Sequence, residues 1–161
     1  MNLFQFLLRI HTSNHYLVRN RACLISALVI CLLCLITEVR ADSHYEIVTY
    51  RGVSQKVISV NSLRSIFSMH LKTWPDGTKI RVFVLPDEDH LHQSVAKEKL
   101  NVFPYQLRSA WDRIVYSGTG QAPNKVNSIE EMRAMVANTP GAIGYLWRAN
   151  IDENVNVLEI K

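Results

Sequence analysis

The feature that most constrains this chain is an uncharged run, ACLISALVICLLCLI, from Ala22 to Ile36. Its fifteen residues fall short of the roughly 20 that an apolar helix needs to cross a bilayer. Arg9, Arg19 and Arg21 precede it with no acidic residue among them, and Val39 and Ala41 follow where signal peptidase requires small residues. A basic start, a short apolar run and a small-residue exit describe a secretory signal peptide cleaved after Ala41. A retained anchor is the competing reading, and the run is short for it. Cys34 follows Leu33, whereas lipidation requires a small residue there. The expected organisation is therefore a signal peptide over 1–41 and one domain over 42–161. The expected location is the periplasm, with no membrane span left after cleavage.

This division changes what the composition means. The whole chain of 161 residues has a formal net charge of +4. Residues 42–161 carry 14 Lys and Arg against 13 Asp and Glu, a net charge of +1. The basicity belongs to the leader, so the domain lacks the concentrated basic face that nucleic-acid binding requires. Cys23, Cys31 and Cys34 also lie in the leader. The domain then has no thiol for catalysis, metal binding or disulfides, which suits an oxidising compartment. A domain of 120 residues buries a core without staples.

The domain alternates strand and helix signals. YEIVTY (45–50), KIRVFVL (79–85), AIGYLW (142–147) and NVNVLEI (154–160) are rich in β-branched and aromatic residues. KVISV (56–60) either extends or pairs with the first strand. Leu63, Ile66 and Phe67 define a short helix capped by Ser59, Asn61 or Ser62. A second helix carries Leu91, Val95, Ala96 and Leu100 on its apolar face. Pro104 opens a third, whose Leu107, Ala110, Trp111, Ile114 and Val115 form the clearest helical stripe in the chain. Ser128 and Glu131 spell a capping box ahead of Ile129, Met132 and Val136. Residues 117–127 read as one long loop. The interleaving implies one α/β domain built on a mixed sheet of about four strands flanked by helices.

Three stretches, LRSIFSMHLKTWPDGTKIRVFVL, WDRIVYSGTGQAP and TPGAIGYL, occur in that order between Leu63 and Leu146. Together they resemble the phosphate-binding proteins of bacterial ABC transporters, and most of all short single-lobe relatives of the type 2 periplasmic-binding-like class. The resemblance implies a secreted, non-catalytic solute-binding-like protein with a single periplasmic-binding lobe. It also implies an anion held at a Ser/Gly/Thr-rich turn that opens a helix. In this chain that place reads Pro86-Asp87-Glu88-Asp89-His90-Leu91-His92, with three carboxylates where hydroxyls are expected. The expectation is thus weak or altered anion binding, with a small oxyanion or other small solute as ligand. The alternative is a ligand-free interaction module in which a protein partner, or a second copy, completes the cleft.

The candidate ligand-binding residues are Asp89, His90 and His92 in the acidic turn, with Arg51 and Ser54 reaching the same rim from the end of the first strand. Carboxylate and imidazole together also suit a divalent cation. A solvated helix cap explains the same cluster, and a pH-responsive role for the two histidines is a third reading. Ser117-Gly118-Thr119-Gly120 reads either as a nest of amides for an anion or as a connector that needs glycine dihedrals. No G-x-S-x-G or H-E-x-x-H pattern occurs, so neither an enzyme nor a metal or other cofactor is expected.

Overall fold

The computed structural model describes residues 44–161. The expected signal peptide and the expected cleavage position after Ala41 lie outside those residues. The chain runs β1 (Tyr45–Tyr50), β2 (Val57–Ile58), α1 (Val60–Phe67), β3 (Arg81–Val84), α2 (His90–Ser94), α3 (Pro104–Tyr116), β4 (Asn124–Lys125), α4 (Ile129–Asn138), β5 (Ala142–Trp147), β6 (Val155–Val157) and β7 (Glu159–Ile160). A π-helical segment, Val95–Lys99, continues α2.

Five strands form a mixed sheet in the order β4-β3-β5-β1-β6, while β2 and β7 pair separately in parallel. Both β4 and β5 run parallel to β3, whereas β1 is antiparallel to β5 and β6. The fifth sheet strand is β4, which lies inside the stretch read as a loop. Asn124 and Lys125 are both exposed and carry no alternation. Only pairing with Phe83 and Val84 makes them a strand.

The sheet is covered on both faces. On one face α4 lies over Gly144, where an added Cβ would sit 2.6 Å from Met132 Sδ and 3.0 Å from Val136 Cγ2. The other face carries the aromatic core. Phe67 and Tyr145 pack at 6.0 Å between ring centroids, and Trp111 Nε1 donates to the Phe67 carbonyl at 2.8 Å. Burying an indole requires such an acceptor for its N–H. In α3 the buried stripe narrows to Leu107 and Trp111, with Val115 48% exposed. Phe103 precedes Pro104, and its backbone amide donates to Gln106 Oε1 at 2.8 Å.

Leu91, Val95, Ala96 and Leu100 are all buried. Arg64 Nε donates to the Leu100 carbonyl at 2.7 Å and ties the end of this segment to α1. Ser59 caps α1, its hydroxyl accepting from the Ser62 amide at 3.1 Å, and Ser128 caps α4 the same way with Glu131.

Candidate functional site

The site begins where β3 ends. The Asp89 amide donates to the Pro86 carbonyl at 3.0 Å and closes a turn. Asp89 then caps α2, its Oδ1 accepting from the amides of Leu91 at 2.8 Å and His92 at 3.3 Å. A carboxylate suits a helix start, where backbone amides lack partners and the dipole is positive. Gln93 Nε2 donates to the Asp87 carbonyl at 3.2 Å and steadies the turn from below. Asp87 Oδ2 accepts from Arg108 Nε at 3.0 Å and Nη2 at 2.7 Å. This charge-assisted fork ties the turn to α3.

Beneath the turn, His92 is buried. Its Nδ1 stands 2.6 Å from the Tyr145 hydroxyl, and that oxygen accepts from the Leu85 amide at 2.8 Å. Among the described residues Nδ1 is the acceptor within reach of the tyrosine hydrogen, which is satisfied when the hydroxyl donates to an unprotonated Nδ1. The neutral imidazole then carries its proton on Nε2. That Nε2 faces Asp87 Oδ1 at 4.0 Å, and among the described residues neither atom has a hydrogen-bond partner. Burial pushes the His92 pKa below the ordinary histidine value. Asp87 and Asp89 pull it back up, while Arg108 and Lys125 push it further down. Burial raises the Tyr145 hydroxyl, so it stays a donor throughout the physiological range.

The sequence candidates separate in space. Asp89 and His92 lie within this cluster, while His90 is exposed on the outer side of α2. The two histidines do not converge. Among the described residues no group of three or more His, Cys, Asp or Glu is placed to hold a metal ion. Arg51 and Ser54 do not share the rim. Because β1 is antiparallel to β5 and β3 is parallel to it, the C-terminal ends of β1 and β3 lie at opposite ends of the sheet. Arg51 instead lines an open depression of 390 Å³ with Arg133, Asn138, Asp152 and Asn154. Ser54 is exposed in the turn after β1.

The Ser117–Gly120 stretch is a helix end. Gly118, at φ +68°, donates its amide to the Val115 carbonyl, and Thr119 donates to Ile114. This Schellman arrangement uses the amides that an anion nest would need. Arg108 and Tyr145 are the site residues that sequence reasoning missed. Tyr145 had a weak signal, since a tyrosine in an otherwise apolar buried strand requires a partner for its hydroxyl. Arg108 had none, because a charge beside the buried stripe of a helix is ordinarily solvated.

Fold and topology define a single lobe of the periplasmic-binding type: a five-stranded mixed sheet with helices on both faces. Solved structures that it resembles include proteins of phosphate transport. One, from Clostridium perfringens, is assigned as a phosphate ABC transporter substrate-binding protein and holds bound phosphate. It aligns over 72% of this chain and 44% of its own length, with TM-score 0.59 and 13% identity. An ABC-type phosphate transport receptor of Vibrio cholerae aligns over 72% and 45%, with TM-score 0.56 and 16% identity. PstS of Borrelia burgdorferi aligns over 73% and 47%, with TM-score 0.55 and 16% identity. The chain thus spans less than half the length of each, and at these identities the likeness is one of fold. No family model matches the sequence, and no curated protein does. Among the described residues no helix is long and apolar enough to cross a membrane.

Proposed function

We propose that this chain is an exported, non-catalytic solute-binding-like protein related to the phosphate-binding components of ABC transporters, with weak or altered binding of a small oxyanion at the 86–92 turn. One observation carries the reading. Asp89 Oδ1 already accepts the two amides that open α2, from Leu91 and His92. A carboxylate fixed beside its donors has a high effective concentration, so it outcompetes a dilute anion for them. Asp87 likewise occupies the Arg108 fork. Glu88 adds a third negative charge.

Calorimetry of the purified protein with phosphate tests this. The expected result is binding far weaker than micromolar. A monomer that binds phosphate at or below micromolar would overturn it. The double variant Asp87→Ser/Asp89→Ser is expected to bind phosphate more tightly than the parent. Export is tested by mass spectrometry of the secreted N-terminus, expected at Asp42. A membrane-bound chain starting before Ala22 would refute cleavage.

A second reading, an interaction module without ligand, is favoured by the start of α3. Phe103 and Tyr105 are 54% and 65% exposed, and their rings stack at 5.7 Å. A protein partner or a second copy would cover this pair. Sedimentation of the parent and of Phe103→Ser/Tyr105→Ser separates self-association from a monomer.

A further inference from the structure

We infer that Asp87 is a proton-operated latch: it holds Arg108 while His92 is neutral, and it turns to His92 when that ring is protonated, leaving the Arg108 guanidinium open to an oxyanion. The geometry behind this is a mismatch. Buried polar atoms almost always have partners. Here a buried N–H of His92 and a buried oxygen of Asp87 face each other at 4.0 Å with none. The other oxygen of the same carboxylate holds Arg108 at 2.7 Å. One carboxylate therefore stands between two donors and satisfies only one.

Charge decides which donor wins. Neutral His92 offers Asp87 a weak donor, and Arg108 offers a full cation through a fork. A proton added at Nδ1 reverses the bond to Tyr145, whose oxygen has a second lone pair to accept it. The tyrosine hydrogen loses its acceptor, a cost that opposes protonation. The ring then presents a cationic Nε2–H to Asp87 from a site screened from water, whereas Arg108 and Asp87 are about one-third exposed. Charges interact more strongly where water is excluded. The charged groups around the ring come from each packed element. Asp87 lies in the turn, Asp89 caps α2, Arg108 is on α3 and Lys125 is on β4, with the neutral Tyr145 on β5. Among the described residues, Asp87 is the carboxylate that comes within 4.0 Å of Nε2.

The affinity half of this inference rests on the oxyanion reading above, and the release of Arg108 does not. Both are read on the purified full domain by nitrogen NMR, from about pH 8 to about pH 4.5, a span that covers the ordinary histidine range. The Arg108 Nε–H signal is expected to move with the midpoint of the His92 ring, and to stay still in His92→Gln. In Arg108→Gln, where nothing competes for Asp87, the His92 midpoint is expected to rise. Sulfate, whose charge is constant over this range, is the ligand probe. Its affinity should rise about two- to fivefold at the acid end, the worth of one partly exposed ion pair. An Arg108 signal that ignores the His92 midpoint, an unchanged midpoint in Arg108→Gln, or a His92 that stays neutral until the protein unfolds overturns the latch. If Arg108 is released and sulfate affinity does not change, the latch stands and the turn is not an oxyanion site.

Discussion

The Tyr145 hydroxyl lies 2.6 Å from His92 Nδ1 and bridges it to the Leu85 amide. One side chain on β5 thereby fixes both the end of β3 and the first turn of α2. The acidic turn is thus held by this bridge as well as by its own cap.

Tyr145→Phe should therefore act at two places. It leaves the Leu85 amide and His92 Nδ1 buried without partners, at an expected cost of about 1–3 kcal/mol. Denaturant unfolding measures it, with the slope unchanged. A variant as stable as the parent would mean that water reaches both groups.

Acid should weaken the fold through His92. Its pKa is lower folded than unfolded, chiefly through burial, so the folded state binds fewer protons. The contribution is fully present above the unfolded value of about 6.5, and it is lost as the pH falls below that toward the folded value. Melting temperature against pH is expected to fall in that window for the parent and less steeply for His92→Gln. Equal slopes would assign the acid sensitivity to other groups.

Trp111 is the largest fully buried side chain. Trp111→Ala should cost roughly 3–5 kcal/mol. Val115→Ser, on the exposed side of the same helix, should change stability by no more than about 0.5 kcal/mol. Thermal melts of the two variants check the contrast, and an unchanged melt for Trp111→Ala would mean that the stripe is not core.

Gly141 has φ +75°, and a Cβ there would run into the Lys79 carbonyl oxygen. The position also gives its own carbonyl to Trp74 Nε1 at 3.0 Å and to the Arg81 amide at 3.1 Å. Gly141→Ala is expected to destabilise by about 1–3 kcal/mol, from backbone strain at positive φ. Urea unfolding reads it. A neutral result would show that the β3–β5 junction relaxes freely.

Asp89→Ala removes the cap of α2 and should cost about 0.5–2 kcal/mol. Amide exchange at Leu91 and His92 should quicken. Unchanged exchange at both amides would mean that the cap carries little.

Much of this architecture was legible in the residues. α3 begins at Pro104 as its sequence requires, because proline loses nothing at a first helical position. Ser128 caps α4, and β5 spans AIGYLW. These are local effects of dihedral preference, capping and periodicity. The apolar positions 91, 95, 96 and 100 also fell on one buried face, since burial of that stripe is what holds the segment to the core.

What only the tertiary structure decided was pairing and direction. β4 exists because Asn124 and Lys125 find β3, which no local pattern announces. Antiparallel pairing of β1 with β5 sends Arg51 and Ser54 away from the acidic turn, although their sequence positions allowed them near it. Three adjacent carboxylates read alike in the sequence, yet Asp87 holds an arginine from another helix, Asp89 caps its own, and Glu88 faces solvent. A sequence fixes which groups a chain carries and how each short segment prefers to fold. Which donor meets which acceptor depends on contacts between residues as far apart as His92 and Tyr145, and those form only when the sheet closes.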